Sequence, residues 1–193
     1  MKRVAGLLRA VNVGGRKVLM ADLKQIAAEA GFDAPATLLA SGNVLFGTTG
    51  SGRAAGAALE AAIQAQLGIV TDVLVRDHAE LAAVIAANPF PDAAKTQPNG
   101  LLAMFLTGPP RGELESLASL CVAGEALRPG PGCLYIRLPN GVGTSKLSNA
   151  AIERRLKVRG TARNWNTVGK LAALLAGVAR CRPIQRTRQT LAL

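Results

Sequence analysis

The order of apolar patterns along this chain is run through twice, and that order constrains the fold more than any single motif. Residues 2–10 read as a short apolar strand, and the VNVGGRK that follows is a loop, since its asparagine and paired glycines favour a turn. From 20 to 30, Leu23, Ile26, Ala27 and Ala30 recur at helical spacing, with Gly31 as a stop. Apolar runs at 36–40 and 44–46 flank Ser41, Gly42 and Asn43 as a hairpin. A helix at 53–67 closes at Gly68 before a strand at 70–75, and a helix at 78–87 stops at Asn88-Pro89. After FPDAAKTQPNG the order returns. A strand at 101–106 precedes a short helix at 112–120, then a hairpin of 122–127 with 134–138 around RPGPG. A helix at 146–156, an extended piece near Thr161 and a helix at 164–176 complete it.

Each half reads β-α-β-β-α-β with one further helix, the split βαβ or ferredoxin-like order. No sequence identity links the halves; the repeat lies in the order of elements. The expected fold class is α+β, with two tandem ferredoxin-like units packed together, each followed by an extra helix. Residues 1–90 form the first half, 91–100 a linker, 101–176 the second half and 177–193 a basic tail. Residues 101–106 are apolar at every position, so their strand needs cover on both faces.

With 193 residues, 49% of them hydrophobic, the chain can bury a core as one large domain or two small ones. Its apolar runs fall far short of the roughly 20 residues that cross a bilayer. No apolar leader follows Met1-Lys2-Arg3, so a cytoplasmic protein without a membrane partner is expected. Cys121, Cys133 and Cys181 are odd in number and widely spaced, which suits reduced thiols. His78 is the single histidine, so no metal and no cofactor are expected. The oligomeric state stays open.

Charge is gathered at one end. Residues 146–193 hold eleven Lys/Arg against one acid, Glu153, whereas residues 1–145 are nearly balanced. Such a local field attracts phosphate, and a nucleic acid or nucleotide is the partner it points to. Two stretches inside the tandem fold add detail. The end of the first strand and the hairpin turn lie at one sheet edge, which brings Arg9, Asn12, Gly14, Gly15 and Arg16 beside Ser41 and Asn43. This basic loop with bare backbone is either an anion cradle or an ordinary solvated turn, and it matches neither nucleotide-binding glycine motif. At the opposite edge of the second half, Lys146 should approach Arg163, Asn164 and Asn166, with Asn164 placed as the cap of the last helix. Lys146, Arg154 and Lys157 share one side of the 146–156 helix and its end. Ser41 and Cys133 are nucleophile types without a nearby base, and His78 sits at a helix start, so no catalytic residue is assigned. Trp165, at helical spacing, reads as core, and aromatics at 3% supply little base-stacking surface.

LLRAVNVGGRKVLMADL at 7–23, ASGNVLF at 40–46, ANPF at 87–90 and TSKLSNAAIERRLKVRGTARNWNTVGKL at 144–171 resemble the bacterial domain-of-unknown-function family 1697. The resemblance runs over about residues 2–175 and implies two ferredoxin-like units, but no activity. Where the family has glycine after the arginine of its first motif, this chain has Ala10. Three readings follow. The leading one is a binding protein for a phosphate-bearing ligand; the others are an enzyme on a small phosphorylated or anionic substrate and a structural protein without a ligand.

Overall fold

The computed structural model describes residues 1–11 and 18–179. The first sheet is built from β1 (Lys2–Leu8), β2 (Asp33–Thr37), β3 (Asn43–Thr48) and β4 (Val73–Asp77), in the order β2-β3-β1-β4. The second contains β5 (Leu101–Leu106), β6 (Ala126–Gly130), β7 (Cys133–Arg137) and β8 (Gly160–Asn164), in the order β6-β7-β5-β8. Every neighbouring pair is antiparallel. The helices are α1 (Met20–Glu29), α2 (Gly52–Leu67), α3 (His78–Ala86), α4 (Pro91–Thr96), α5 (Asn149–Leu156) and α6 (Trp165–Ala179). The fold is therefore α+β, with two four-stranded antiparallel sheets.

Several elements differ from the sequence reading for local reasons. The expected helix at 112–120 is a 3-10 helix, Leu114–Leu120. The second hairpin turns later than expected, because Arg128, Pro129 and Gly130 still pair with β7. The stretch read as a linker holds α4, which opens on Pro91, a residue whose fixed φ suits a first helical position. α5 starts at Asn149, because Ser148 rather than Ser145 accepts the capping hydrogen bond, from Ala151 N. Lys146 thus precedes the helix, and only Arg154 and Lys157 remain together at its last turn. α6 runs on to Ala179, and the tail beyond it, 180–193, lies outside the described residues.

Alternation along the strands sorts the core into three layers. Val4, Leu8, Val44, Phe46, Val73 and Val75 face α1 and α2. On the far side, Leu102, Met104, Leu134 and Ile136 face α5 and the 3-10 helix. Between the sheets, Leu7, Leu45 and Leu74 meet Phe105 and Tyr135 in one cluster, together with Leu81 and Val84 of α3 and Leu171 and Leu175 of α6. All six residues of β5 are buried because both of its faces are covered. Tyr135 is fully buried, and its hydroxyl donates to Val84 O at 2.6 Å across the halves. Trp165 is partly buried against the same cluster, with its ring centroid 6.3 Å from that of Tyr135. α2 approaches β4 closely at Gly56, where a Cβ would stand 2.7 Å from Val73 O.

Both β4 and β8 are edge strands, and side chains cover several of the backbone groups that their single neighbours leave unpaired. On β4, Glu60 accepts from Val73 N at 2.6 Å, Glu80 accepts from Asp77 N at 2.8 Å and Arg76 donates to Val75 O at 2.8 Å. On β8, Glu153 accepts from Gly160 N at 2.9 Å and Arg163 donates to Ala162 O at 2.9 Å.

Candidate functional site

The end of β1 and the β2–β3 turn meet at one edge. Leu8 N donates to Gly42 O at 2.8 Å, and a Cβ on Gly42, whose φ is +72°, would stand 2.4 Å from Val11 Cγ2. Only glycine fits that approach. Asn12, Gly14, Gly15 and Arg16 lie outside the described residues. Ser41 is exposed, and its hydroxyl accepts from Asn43 Nδ2 at 2.9 Å. Asn43 is fully buried, and its amide also donates to Leu38 O at 2.8 Å.

Arg163 comes to this edge from the other half. It sits on β8, inside the protein and only 5% exposed, with Asn164 between it and the start of α6. Its Nε donates to Asn43 Oδ1 at 2.5 Å. Nη1 donates to Thr161 Oγ1 at 2.7 Å and Ala162 O at 2.9 Å, and Nη2 donates to Leu8 O at 2.9 Å and Gly42 O at 3.2 Å. A guanidinium has five N–H groups, so none is left for a ligand. Every acceptor is neutral. Burial pushes the Arg163 guanidinium down to about 10, so it stays charged at neutral pH.

Arg9 is likewise engaged. Its Nε and Nη2 reach Glu153 Oε1 and Oε2 at 2.6 and 2.5 Å, a bidentate pair between the halves. Arg9 also lies 3.8 Å from Asp72, which pairs with Arg159 at 3.0 Å. The Glu153 hydrogen bonds raise the Arg9 guanidinium above its ordinary value. Asn164 does cap α6, accepting from Thr167 N at 2.9 Å, and Asn166 donates to Asn99 Oδ1 at 2.9 Å. No hydrogen bond or ion pair among the described residues joins Lys146 to Arg163, Asn164 or Asn166. The neighbouring Ser145 bonds instead to Glu125 at 2.9 Å. The structure therefore brings Arg163 and Asn43 together, in an internal tie.

That tie has a counterpart which the sequence reading did not single out. Arg76 is the penultimate residue of β4 as Arg163 is of β8, and they stand opposite Ala5 and Ala103 on the first strand of their own sheets. Each donates through Nη1 to the carbonyl of the residue before it, and through Nη2 to the last carbonyl of the other half's first strand. For Arg163 that is Leu8 O, and for Arg76 it is Leu106 O, at 3.1 Å. Leu106 N donates to Gly132 O as Leu8 N does to Gly42 O, and Thr107 N to Arg159 O as Arg9 N does to Asp72 O. The halves grip each other reciprocally, as the two sides of an isologous interface do. The shared pattern in sequence was VLVRD and GTARN, two closing strands with arginine in the same place.

Burial pushes the Cys133 thiol up to about 11, and Cys121 is raised mainly by burial as well. His78 is exposed at the first position of α3. Among the described residues no group of His, Cys, Asp or Glu is placed to hold a metal ion, and no helix is long and apolar enough to cross a membrane.

Ala10 adopts φ +53°, a left-handed conformation that costs an L side chain about 1 kcal/mol or more. Replacing Ala10 with Gly is expected to stabilise the protein by about 0.5–1 kcal/mol, less any entropy the glycine adds to the unfolded chain. A denaturant midpoint that does not rise would show that this strain is absent.

These features define an α+β protein of two antiparallel sheets held by reciprocal arginines. The chain belongs to the family described as protein of unknown function, DUF1697, which matches residues 1–135. The 144–171 stretch lies beyond that match. Among curated proteins nothing matches. The chain is similar in fold to a conserved bacterial protein from Streptococcus pneumoniae, at 23% identity and a TM-score of 0.64 over 90% of this chain and 98% of that one.

Proposed function

We propose that this is a cytoplasmic binding protein for a phosphate-bearing ligand, nucleic acid or nucleotide, which docks on exposed bases of the second half. We also take each half, 1–90 and 101–176, as a ferredoxin-like unit. The strand orders β2-β3-β1-β4 and β6-β7-β5-β8 support that division, since each sets the third strand of its half between the first and second.

One observation carries the functional reading. Glu153, the lone acid after residue 145, is taken up by Arg9 and Gly160 N. Lys146, Arg154, Lys157 and Lys170 are exposed and have no ion-pair partner among the described residues. Uncompensated surface cations of this kind make phosphate contacts that release counterions. The ligand-binding role thereby moves from Arg163, whose five donors are engaged, and from Arg9, whose charge is paired with Glu153 and Asp72, to Arg154 and Lys157.

Titration of a mixed-sequence duplex should show affinity falling steeply between about 50 and 200 mM salt. Arg154→Glu with Lys157→Glu should flatten the logarithmic slope by about two contacts' worth. A chain ended at Ala179 should keep that slope if the folded bases carry the binding. A salt-independent affinity, or a slope carried wholly by 180–193, would remove the reading.

A further inference from the structure

The reciprocal grip is unequal at its two ends, and the difference leaves a site. Around Arg163 the five N–H groups meet five acceptors, two of them the side chains of Asn43 and Thr161. At the corresponding positions around Arg76 stand Cys133 and Leu74, which offer no comparable oxygen. Leu74 is opposite Leu7 on β1 as Thr161 is opposite Phe105 on β5, two positions before each arginine. Arg76 makes two hydrogen bonds, to Val75 O and Leu106 O, and has no counterpart of the Arg163 bond to Gly42 O either. Its nearest acid, Glu80, stands 3.9 Å from Nε, beyond hydrogen-bond reach. Three of the five guanidinium N–H groups have no acceptor among the described residues. The side chain is nonetheless 16% exposed and held in place, with its charge 5.6 Å above the Phe105 ring.

Arg76 lines an open groove of about 1300 Å3 between β4 and the segment after β5, with Arg53, Thr107, Pro110, Gly132 and Arg159 among its other walls. Val75, Leu106 and Leu134 contribute apolar surface beneath them. The other groove cations differ in their commitments. Lys2 lies 4.0 Å from Asp77 and Arg159 pairs with Asp72, whereas Arg53 has no ion-pair partner among the described residues. The groove acids are engaged in turn: Glu60 and Glu80 cover the β4 edge, and Asp77 caps α3. Those side chains already hold Val73 N, Val75 O and Asp77 N, which leaves little of that edge for an added strand. A ligand is then recognised mainly by side chains.

We infer that the groove between the halves binds a small oxyanion, a carboxylate or phosphate carried on an apolar body, with the oxyanion on Arg76. An oxyanion accepts the N–H groups that Asn43 and Thr161 satisfy on the opposite side, and a guanidinium presents them in a fork that a point charge cannot imitate. Mixed polar and apolar walls at a junction between two halves are the usual setting for a small-molecule site. This site is separate from the bases of α5 and does not depend on them.

Calorimetric titration with phenyl phosphate and with benzoate tests it, against neutral benzyl alcohol. One anion per chain should bind, and benzyl alcohol at least tenfold more weakly; the two anions report whether phosphate or carboxylate is preferred. Arg76→Met should weaken anion binding at least tenfold. Thr107→Glu, an exposed position on the groove wall, should do the same by supplying an internal carboxylate, and it carries the test if Arg76→Met fails to fold. Arg154→Glu with Lys157→Glu should leave the anion affinity within about twofold, which separates this site from the basic surface. No saturable binding, equal binding of benzyl alcohol, or affinity unchanged in Thr107→Glu would overturn the assignment.

Discussion

Replacing Arg163 with Met is expected to cost about 3–5 kcal/mol of folding stability, since several buried acceptors lose a donor at about 1–3 kcal/mol each and removing the buried charge recovers only part of that. The loss comes less from the charge than from what it leaves behind. Asn43 Oδ1, Thr161 Oγ1 and the carbonyls of Leu8, Gly42 and Ala162 would lose the same donor at once, in a site nearly closed to water. A domain of this size has roughly 5–15 kcal/mol in total, so the variant should be close to unfolding. Arg163→Lys keeps the charge but carries three donors on a single nitrogen and cannot span the five acceptors, so it should recover only part of the loss. Urea unfolding followed by the fluorescence of Trp165, the single tryptophan, reads both variants. A change under about 1 kcal/mol in Arg163→Met would show that the network is not holding the halves.

The tie at Arg163 shows where the sequence was legible and where it stopped. The order of strands and helices came from period and punctuation, because strands alternate at two and helices repeat near 3.6 whatever they pack against. Local capping was legible too: Asn164 stands one residue before Trp165 and accepts from Thr167 N, as its position implied. Ser145 and Ser148 were harder to separate, since both precede the same helix and both accept a backbone N–H, Ser145 from Leu147 and Ser148 from Ala151, and only the backbone path decides which of them caps it. The meeting of the end of β1 with Gly42, through Leu8 and Val11, followed from topology within one half. The destination of Arg163 could not follow, because it depends on how two sheets dock, and that is set by the summed fit of residues such as Leu7, Phe105 and Tyr135. A signal was present in the alternation of GTARN, which puts Thr161 and Arg163 on the same, inward side of an edge strand. Arg76 was missed for the same reason, as its partner Leu106 belongs to the other half.

Glu153→Gln should destabilise the protein by about 1.5–3 kcal/mol at neutral pH, the usual worth of hydrogen bonds to a charged group. Burial by itself pushes the Glu153 carboxyl up, but the hydrogen bonds from Arg9 and Gly160 N, with the charges of Arg9 and Arg159, outweigh it and hold the group below its ordinary value of 4.5. A carboxylate depressed in the folded state contributes stability that is fully present above the unfolded value and is lost as pH falls through the folded one. Glutamine has no proton to gain there. The stability gap between the wild type and Glu153→Gln should accordingly be constant above about pH 5 and narrow progressively below it. Other carboxylates titrate in the same range, but they are common to both proteins and largely cancel in the difference. Arg9 keeps Asp72 at 3.8 Å in the variant, which holds the loss below that of a fully orphaned cation. Paired urea titrations at about pH 7 and pH 3 measure the gap directly. A gap that stays the same at both would mean that Glu153 acts through its shape and its bond to Gly160 alone, and that the Arg9 pair adds nothing to the contact between the halves.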